Sequence, residues 1–325
     1  MLLFACTCLI GTEVGEVNGY QELLANAAAV RGPAIACHFN NPGYNLVHEV
    51  LVRMRQNGHN VWGELYPYEA GSTTINAVFL DEDTWVKQLG HKYEDTLADA
   101  VTGEFYTKES RDEMIKKDPT RLVIVYKMPA KAVVDWMRLP GVAIASDTMP
   151  VLTPPYDIQD LDMDLRKLPN NHPRGAGCFA KAFRLAREND IPLMHMVTMA
   201  SYTPAKHLGD CGLKAMQERG RIQEGKIADI TIFDFKTIAD KSTYMEGNIP
   251  SAGIPYVIVS GMTVVKDSKL IHGCHPGQPI RFERVSDSRL EPLTEESWKH
   301  IYTLAKVDFG GSDPSQTFTC CGHLS

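Results

Sequence analysis

No stretch of the sequence approaches the roughly 18 to 20 consecutive apolar residues that a bilayer-spanning helix needs. A soluble protein is therefore expected, with no membrane partner. Cysteine is sparse and scattered: Cys6, Cys8, Cys37, Cys178, Cys211, Cys274, Cys320 and Cys321 are eight in 325 residues and form no evident disulfide framework. A reducing compartment follows, and the cytoplasm is the expected location. Positive charge is in deficit as well, with 33 Lys and Arg against 40 Asp and Glu, a net charge of −7. Without a basic cluster there is no counterion-releasing face, so nucleic acid is not an expected partner. The apolar start MLLFACTCLIG lacks a basic n-region, the first Lys or Arg being Arg31, which argues for a buried strand rather than an export leader. No glycine-rich phosphate fingerprint follows any strand-like segment, which counts against a dinucleotide fold.

The segments that are present alternate in kind over the first two thirds. Leu2 to Ile10 and Pro33 to His38 are short apolar runs, and residues 60–65, 121–126 and 141–146 are three more. Helical patterns lie between and after them, at 19–30, 45–56, 131–137, 177–188 and 204–218. In the second of these, Leu46, Val50 and Met54 with Val47 and Leu51 make one apolar stripe. Repeated strand and helix units imply parallel strands with right-handed crossovers, hence an α/β class. His38, the segment from Tyr66 to Ser72, and Asp147 each follow the apolar core of a strand. That is where a (β/α) barrel keeps its chemistry, so a barrel is preferred over a doubly wound sheet. Beyond Arg221 the texture changes to β-branched runs punctuated by Gly, Asp and Lys, which suggests a small antiparallel unit. The tail from about Glu283 carries one helical patch, 295–304, and otherwise reads as a surface extension.

Five motifs occur in order: ACHFNN at 36–41, ELYPYEAGSTTI at 64–75, ASDTMP at 145–150, HPRGAGCFAKAF at 172–183 and GRIQEGKIADITIFD at 220–234. Together they resemble the amidohydrolase superfamily, and within it the D-aminoacylase and N-acyl-D-glutamate deacylase branch, from about Ile10 to Glu283. The resemblance implies zinc-dependent hydrolysis of a linear amide in an N-acyl-D-amino acid, a small-molecule substrate. One or two zinc ions are implied, unless the metal has been lost. His38 matches the histidine ligand on barrel strand six, and Asp147 the aspartate on strand eight, a general base and sometimes a ligand. Tyr66, Tyr68 and Ser72 would line the acyl-substrate pocket, and His172 with Arg174 would clamp a substrate carboxylate, for which a guanidinium fork is well shaped. Each has a plainer reading: a hydrogen-bonded structural histidine for His38, a turn cap for Asp147, an aromatic turn on the rim for the tyrosines, and a surface salt bridge for Arg174. The Cys320, Cys321 and His323 cluster has some metal-site character, but an exposed tail is the simpler reading.

The resemblance also sets out what is missing. The superfamily places an H-x-H pair on strand one, a bridging ligand on strand four and a histidine on strand five, whereas His38 is the first histidine here and the only comparable spacing is His272 with His275. The segment LFACTCLIGTEVGEVNGYQELLA resembles the family's strand five, which puts Cys6 at the histidine ligand's place and Cys8 near a basic one. Cys6 would bind zinc as thiolate, although a buried apolar cysteine is the plainer reading. The expected architecture is thus about strands five to eight of a TIM-type (β/α)8 barrel over residues 1–218, a small β-rich unit at 219–283 and an extension at 284–325. On this reading the chain is an N-terminally truncated deacylase with little activity of its own, and its open edges favour a homo-oligomer. Two other classes stay open: a non-catalytic amidohydrolase-like binding subunit, and a cyclic amidase of hydantoinase or dihydroorotase type.

Overall fold

The computed structural model describes residues 3–6, 19–38, 44–148, 162–283 and 294–296, with only the backbone described for 3–6, 19, 20 and 44. Four short strands, β1 (Leu3–Cys6), β2 (Ala34–Cys37), β3 (Val61–Leu65) and, later in the chain, β7 (Val142–Ile144), form one sheet in the order β1-β2-β3-β7. All three pairings are parallel and in register, Ala5 with Ala36, Ala36 with Gly63, and Gly63 with Val142. Parallel neighbours require crossovers, and helices α1 (Gly19–Val30) and α2 (Tyr44–Gln56) provide the first two. Their apolar stripes, Leu23, Leu24 and Ala27 from α1 and Val47 and Leu51 from α2, pack with Ala34, Ala36, Val61, Leu65, Val142 and Ile144 in one core cluster. The period of 3.6 on the helices meets the period of two on the strands, and one sheet face is closed.

Between β3 and β7 the chain leaves this sheet. β4 (Ala70–Thr74), β5 (Leu97–Asp99) and β6 (Leu122–Tyr126) make a separate antiparallel sheet ordered β4-β6-β5, accompanied by α3 (Tyr93–Thr96) and α4 (Lys108–Lys117). This corrects two expectations. The run at 121–126 is a strand but not a parallel one, and the Tyr66–Ser72 segment ends in β4 rather than in a turn. The reason lies in burial on both faces: Val123 and Val125 join Trp85, Leu97 and Tyr106 on one side, while Ile124 meets Ala70, Ala98 and Ala100 on the other. A strand covered on both faces has an unbroken apolar pattern whatever its pairing direction, so the pattern alone could not reveal it.

Helix α5 (Ala130–Met137) leads back to β7, after which come α6 (Arg174–Glu188), α7 (Leu193–Val197), α8 (Thr203–Asp210) and α9 (Lys214–Gln217). The single helix expected at 204–218 is broken after Asp210, where Gly212 takes φ 92°. A glycine in that region stops a helix at little steric cost. Strands β8 (Ile230–Ile232), β9 (Tyr256–Val259), β10 (Met262–Lys266) and β11 (Lys269–Leu270) then form an antiparallel sheet in the order β11-β10-β9-β8. Its two tight turns, Ser260-Gly261 and Asp267-Ser268, have positive φ at both central residues, the geometry whose twist suits a hairpin. Arg184 of α6 pairs with Asp240 at 2.6 Å, and Phe183 lies 4.8 Å from Phe233. The described residues up to Phe282 form one compact unit that includes the β-rich segment. The tail cluster Cys320, Cys321 and His323 and most of the 295–304 patch lie outside the described residues. No helix among the described residues is long and apolar enough to cross a membrane.

The antiparallel insert is pinned by Asp99, which is 4% exposed. It accepts from Arg121 at 2.7 and 2.9 Å, from the Tyr106 hydroxyl at 2.6 Å, and from the backbone N–H groups of Val101 and Thr102. Burial acts to raise its pKa, but the Arg121 and Tyr106 hydrogen bonds outweigh burial and hold the carboxyl well below the usual range. A depressed folded pKa contributes stability that is complete above the unfolded value near ~3.9 and is lost as pH falls towards the folded one. Asp99→Asn is therefore expected to cost roughly 2 to 4 kcal/mol at neutral pH and to flatten the acid-side loss. Urea unfolding at a series of pH values checks this, and a parallel acid-side loss in wild type and variant would contradict it.

Candidate active site

Polar groups collect where the parallel strands end. His38 directly follows β2, Glu64 is the penultimate residue of β3, and Asp147 comes shortly after β7 with φ 50°. Aspartate tolerates that left-handed conformation better than most residues, and the bend brings its carboxylate back over the sheet. His38 Nδ1 faces Glu64 Oε1, while Nε2 lies 3.2 Å from Asp147 Oδ2. The same Oδ2 meets Arg174 Nη1 at 2.7 Å. Acid and base thus alternate in one line from Glu64 through His38 and Asp147 to Arg174.

Burial decides how much this line matters. Glu64 is 3% exposed and Arg174 2%, and an ion at such a depth is destabilising by several kcal/mol unless it is paired. Arg174 is paired with Asp147, and its guanidinium lies 4.8 Å above the Tyr66 ring, a cation–π contact. Tyr66 also meets His38 edge-on at 5.1 Å. Burial would raise the Asp147 pKa, but the hydrogen bond and charge of His38, together with Arg174, hold it low. Glu64 is less completely matched, since its Oε2 has no hydrogen-bond partner among the described residues. A buried carboxylate with an unclaimed oxygen beside an imidazole is a chemically reasonable seat for a divalent cation.

The other expected site residues divide by what they touch. His172 is 2% exposed, and both ring nitrogens are committed to backbone. Its Nε2 lies 2.9 Å from the Ala70 carbonyl oxygen, which can only accept, so Nε2 carries the hydrogen and Nδ1 accepts the Arg174 N–H at 3.1 Å. The expectation that His172 clamps a ligand is corrected accordingly: the ring orients the start of α6 and with it Arg174. Tyr68 is equally committed, donating its hydroxyl to the Pro173 carbonyl at 3.2 Å, with its ring against His172. Arg174 reaches its own chain's Asp147 rather than an open pocket. Ser72 lies on β4 opposite Ile124, and its buried Oγ has no partner among the described residues. Cys6 pairs with Cys37 through the backbone of β1 and β2, and its side chain lies outside the described residues.

Glu64 is the residue that motif reading passed over. The signal was present: in VWGEL a carboxylate interrupts a strand whose five residues are all buried, and its register level on β3 is that of the residue before His38 on β2.

Residues 143–264, from β7 into β10, match the amidohydrolase family model. Over 119 residues the chain is 33% identical to an N-acyl-D-glutamate deacylase of Alcaligenes xylosoxydans xylosoxydans, which is 35% of this chain and 23% of that protein. A crystal structure of D-aminoacylase superposes with a TM-score of 0.60 at 20% identity, over 78% of this chain and 51% of that one. The N-acyl-D-glutamate deacylase of Bordetella bronchiseptica, solved with zinc and a phosphonate mimic of the tetrahedral intermediate, gives 0.60 at 21% identity over 81% and 52%. These matches bear out the motif resemblance to the D-aminoacylase-like branch of the amidohydrolases, and over the shared part the α/β fold is similar to that of the solved amidohydrolases. The chain spans about half the length of these solved structures.

Burial, followed by the nearby Arg174 charge, pulls the His172 pKa down to about 3. The unfolded ring takes its proton near ~6.5, so this histidine contributes stability that is complete above that pH and is lost as pH falls towards 3. The His172 ring resonances are expected to show the Nε2–H tautomer and no titration between about pH 5 and 8 by heteronuclear NMR. A midpoint near the ordinary histidine value would contradict the buried, doubly bonded ring.

Proposed function

We propose that the chain carries the chemistry of a metal-dependent hydrolase that deacylates N-acyl-D-amino acids, acidic ones such as N-acyl-D-glutamate among them. In this reading the four parallel strands correspond to strands five to eight of the family barrel, residues 1–218 hold the barrel part, and the β-rich stretch at 219–283 is its small companion unit. The observation that carries the reading is the line of Glu64, His38 and Asp147 at the carboxyl ends of β3, β2 and β7, closed by Arg174 of α6. The deacylase similarity in sequence supports the substrate class.

His38 and neighbouring carboxylate oxygen would hold the metal. When bound, a zinc ion would supply Lewis acidity towards the amide carbonyl and lower the pKa of water to roughly 7. The chain's own residues do the rest. Asp147, ionised because His38 and Arg174 offset its burial, accepts the proton of the attacking water and returns it to the leaving nitrogen. Arg174 holds that carboxylate by the 2.7 Å contact, and His172 fixes Arg174 from behind through its backbone N–H. Tyr66, set beside both His38 and Arg174, forms the wall against which the acyl group lies. The cytoplasm remains the proposed location.

The test is release of D-glutamate from N-acetyl-D-glutamate by the full chain with added zinc. Multiple turnovers are expected, abolished by a chelator, absent with the L-enantiomer, and lowered roughly 10²- to 10⁴-fold in Asp147→Asn. Turnover that survives chelation, or an Asp147→Asn variant as active as wild type, would overturn the proposal.

A further inference from the structure

The donor set around His38 differs from the one the motifs suggest. Cys37 Sγ, a His38 ring nitrogen and a Glu64 carboxylate oxygen lie within 4.8 Å of one another, and no other group of three or more such side chains this close is found among the described residues. Two features of the site favour Glu64 over Asp147 as the carboxylate ligand. Asp147 Oδ2 is already held by His38 Nε2 and by the cationic Arg174, and a guanidinium bound to that oxygen repels a second cation. Glu64 is 3% exposed, faces His38 through Oε1, and has an Oε2 with no hydrogen-bond partner among the described residues.

We infer that this chain binds one thiophilic divalent cation, zinc by class, through Cys37, His38 and Glu64, with Asp147 outside the donor set. Thiolate, imidazole and carboxylate are the ligand types zinc takes, and three protein ligands leave a fourth position open for water or substrate. The cation also resolves the electrostatics, since it neutralises a carboxylate that is otherwise buried against an imidazole. On binding, the Cys37 thiol loses its proton to solvent and the sulfur becomes a metal ligand. The arrangement follows from strand register. Ala36 pairs with Gly63, so Cys37 and Glu64 stand at the next level of adjacent parallel strands, and His38 ends the first of them. The inference deepens the proposed function by naming the ligands of that site, and it rests on that reading only for the use made of the metal.

Cobalt(II) substituted into the metal-free full chain tests it without any need for turnover. One cobalt per chain is expected, with a sulfur-to-cobalt charge-transfer band in the near ultraviolet. Cys37→Ser should remove that band. Glu64→Gln should weaken cobalt affinity at least about tenfold, whereas Asp147→Asn should keep both the band and the affinity, with folding checked by circular dichroism in each case. The inference is overturned if wild type binds no cobalt or shows no thiolate band, or if affinity falls in Asp147→Asn and not in Glu64→Gln. The wild-type spectrum needs no variant, so a misfolded mutant does not shield the inference. A thiolate band without deacylation would leave the ligand set standing and remove the substrate reading. Deacylation without the band would do the reverse.

Discussion

One imidazole between two carboxylates sets the terms for the rest of the site. His38 faces Glu64 through Nδ1 and Asp147 through Nε2; Glu64 is buried and Asp147 half-buried. Two negative charges on one imidazole, one of them far from bulk water, need compensation. Arg174 provides it for Asp147, and the backbone is arranged to keep Arg174 there. Pro173 begins the turn into α6 and its carbonyl accepts from Tyr68 and Ser242, while the Arg174 N–H is anchored on a neutral His172 whose other nitrogen donates to β4. The antiparallel insert, the parallel sheet and the β-rich segment therefore meet around the start of α6, where Arg174 pairs with Asp147.

Glu64 has no such counterpart among the described residues beyond His38 itself. That asymmetry is what makes the site look like a place for a cation. Where a guanidinium already balances one carboxylate, an added metal gains most by approaching the other. The sheet is also built to bring soft and hard donors together at that point, because in-register parallel strands put equivalent positions side by side at a spacing of about 4.8 Å.

Much of this was legible in the sequence, and the failures are instructive. Strands β2, β3 and β7 and helices α1, α2 and α5 could be read from short apolar runs and 3.6-residue stripes, since β3 and β7 are buried throughout and each helix buries one face. His38, Asp147 and Arg174 were found through motifs, and the structure brings all three together. The pairing of β6 was not legible, because Ile124 is covered by alanines on one side and its neighbours by Trp85 and Tyr106 on the other. The role of His172 was not legible either: a histidine beside an arginine in a motif suggests a clamp, and only the positions of the Ala70 carbonyl and the Arg174 N–H reveal a ring with both nitrogens in use. Glu64 was visible as a charge inside a buried strand and opens the ELYPYEAGSTTI motif, but it gained a role only when register set it beside His38.

The central claim is that the residues at the ends of β2, β3 and β7 form a metal-binding hydrolytic site. Anomalous diffraction at the zinc edge from a crystal of the zinc-loaded chain tests it most directly. The account predicts one strong peak beside the His38 ring, between Cys37 and Glu64. A peak confined to exposed histidines such as His272 and His275, with none at His38, would contradict it.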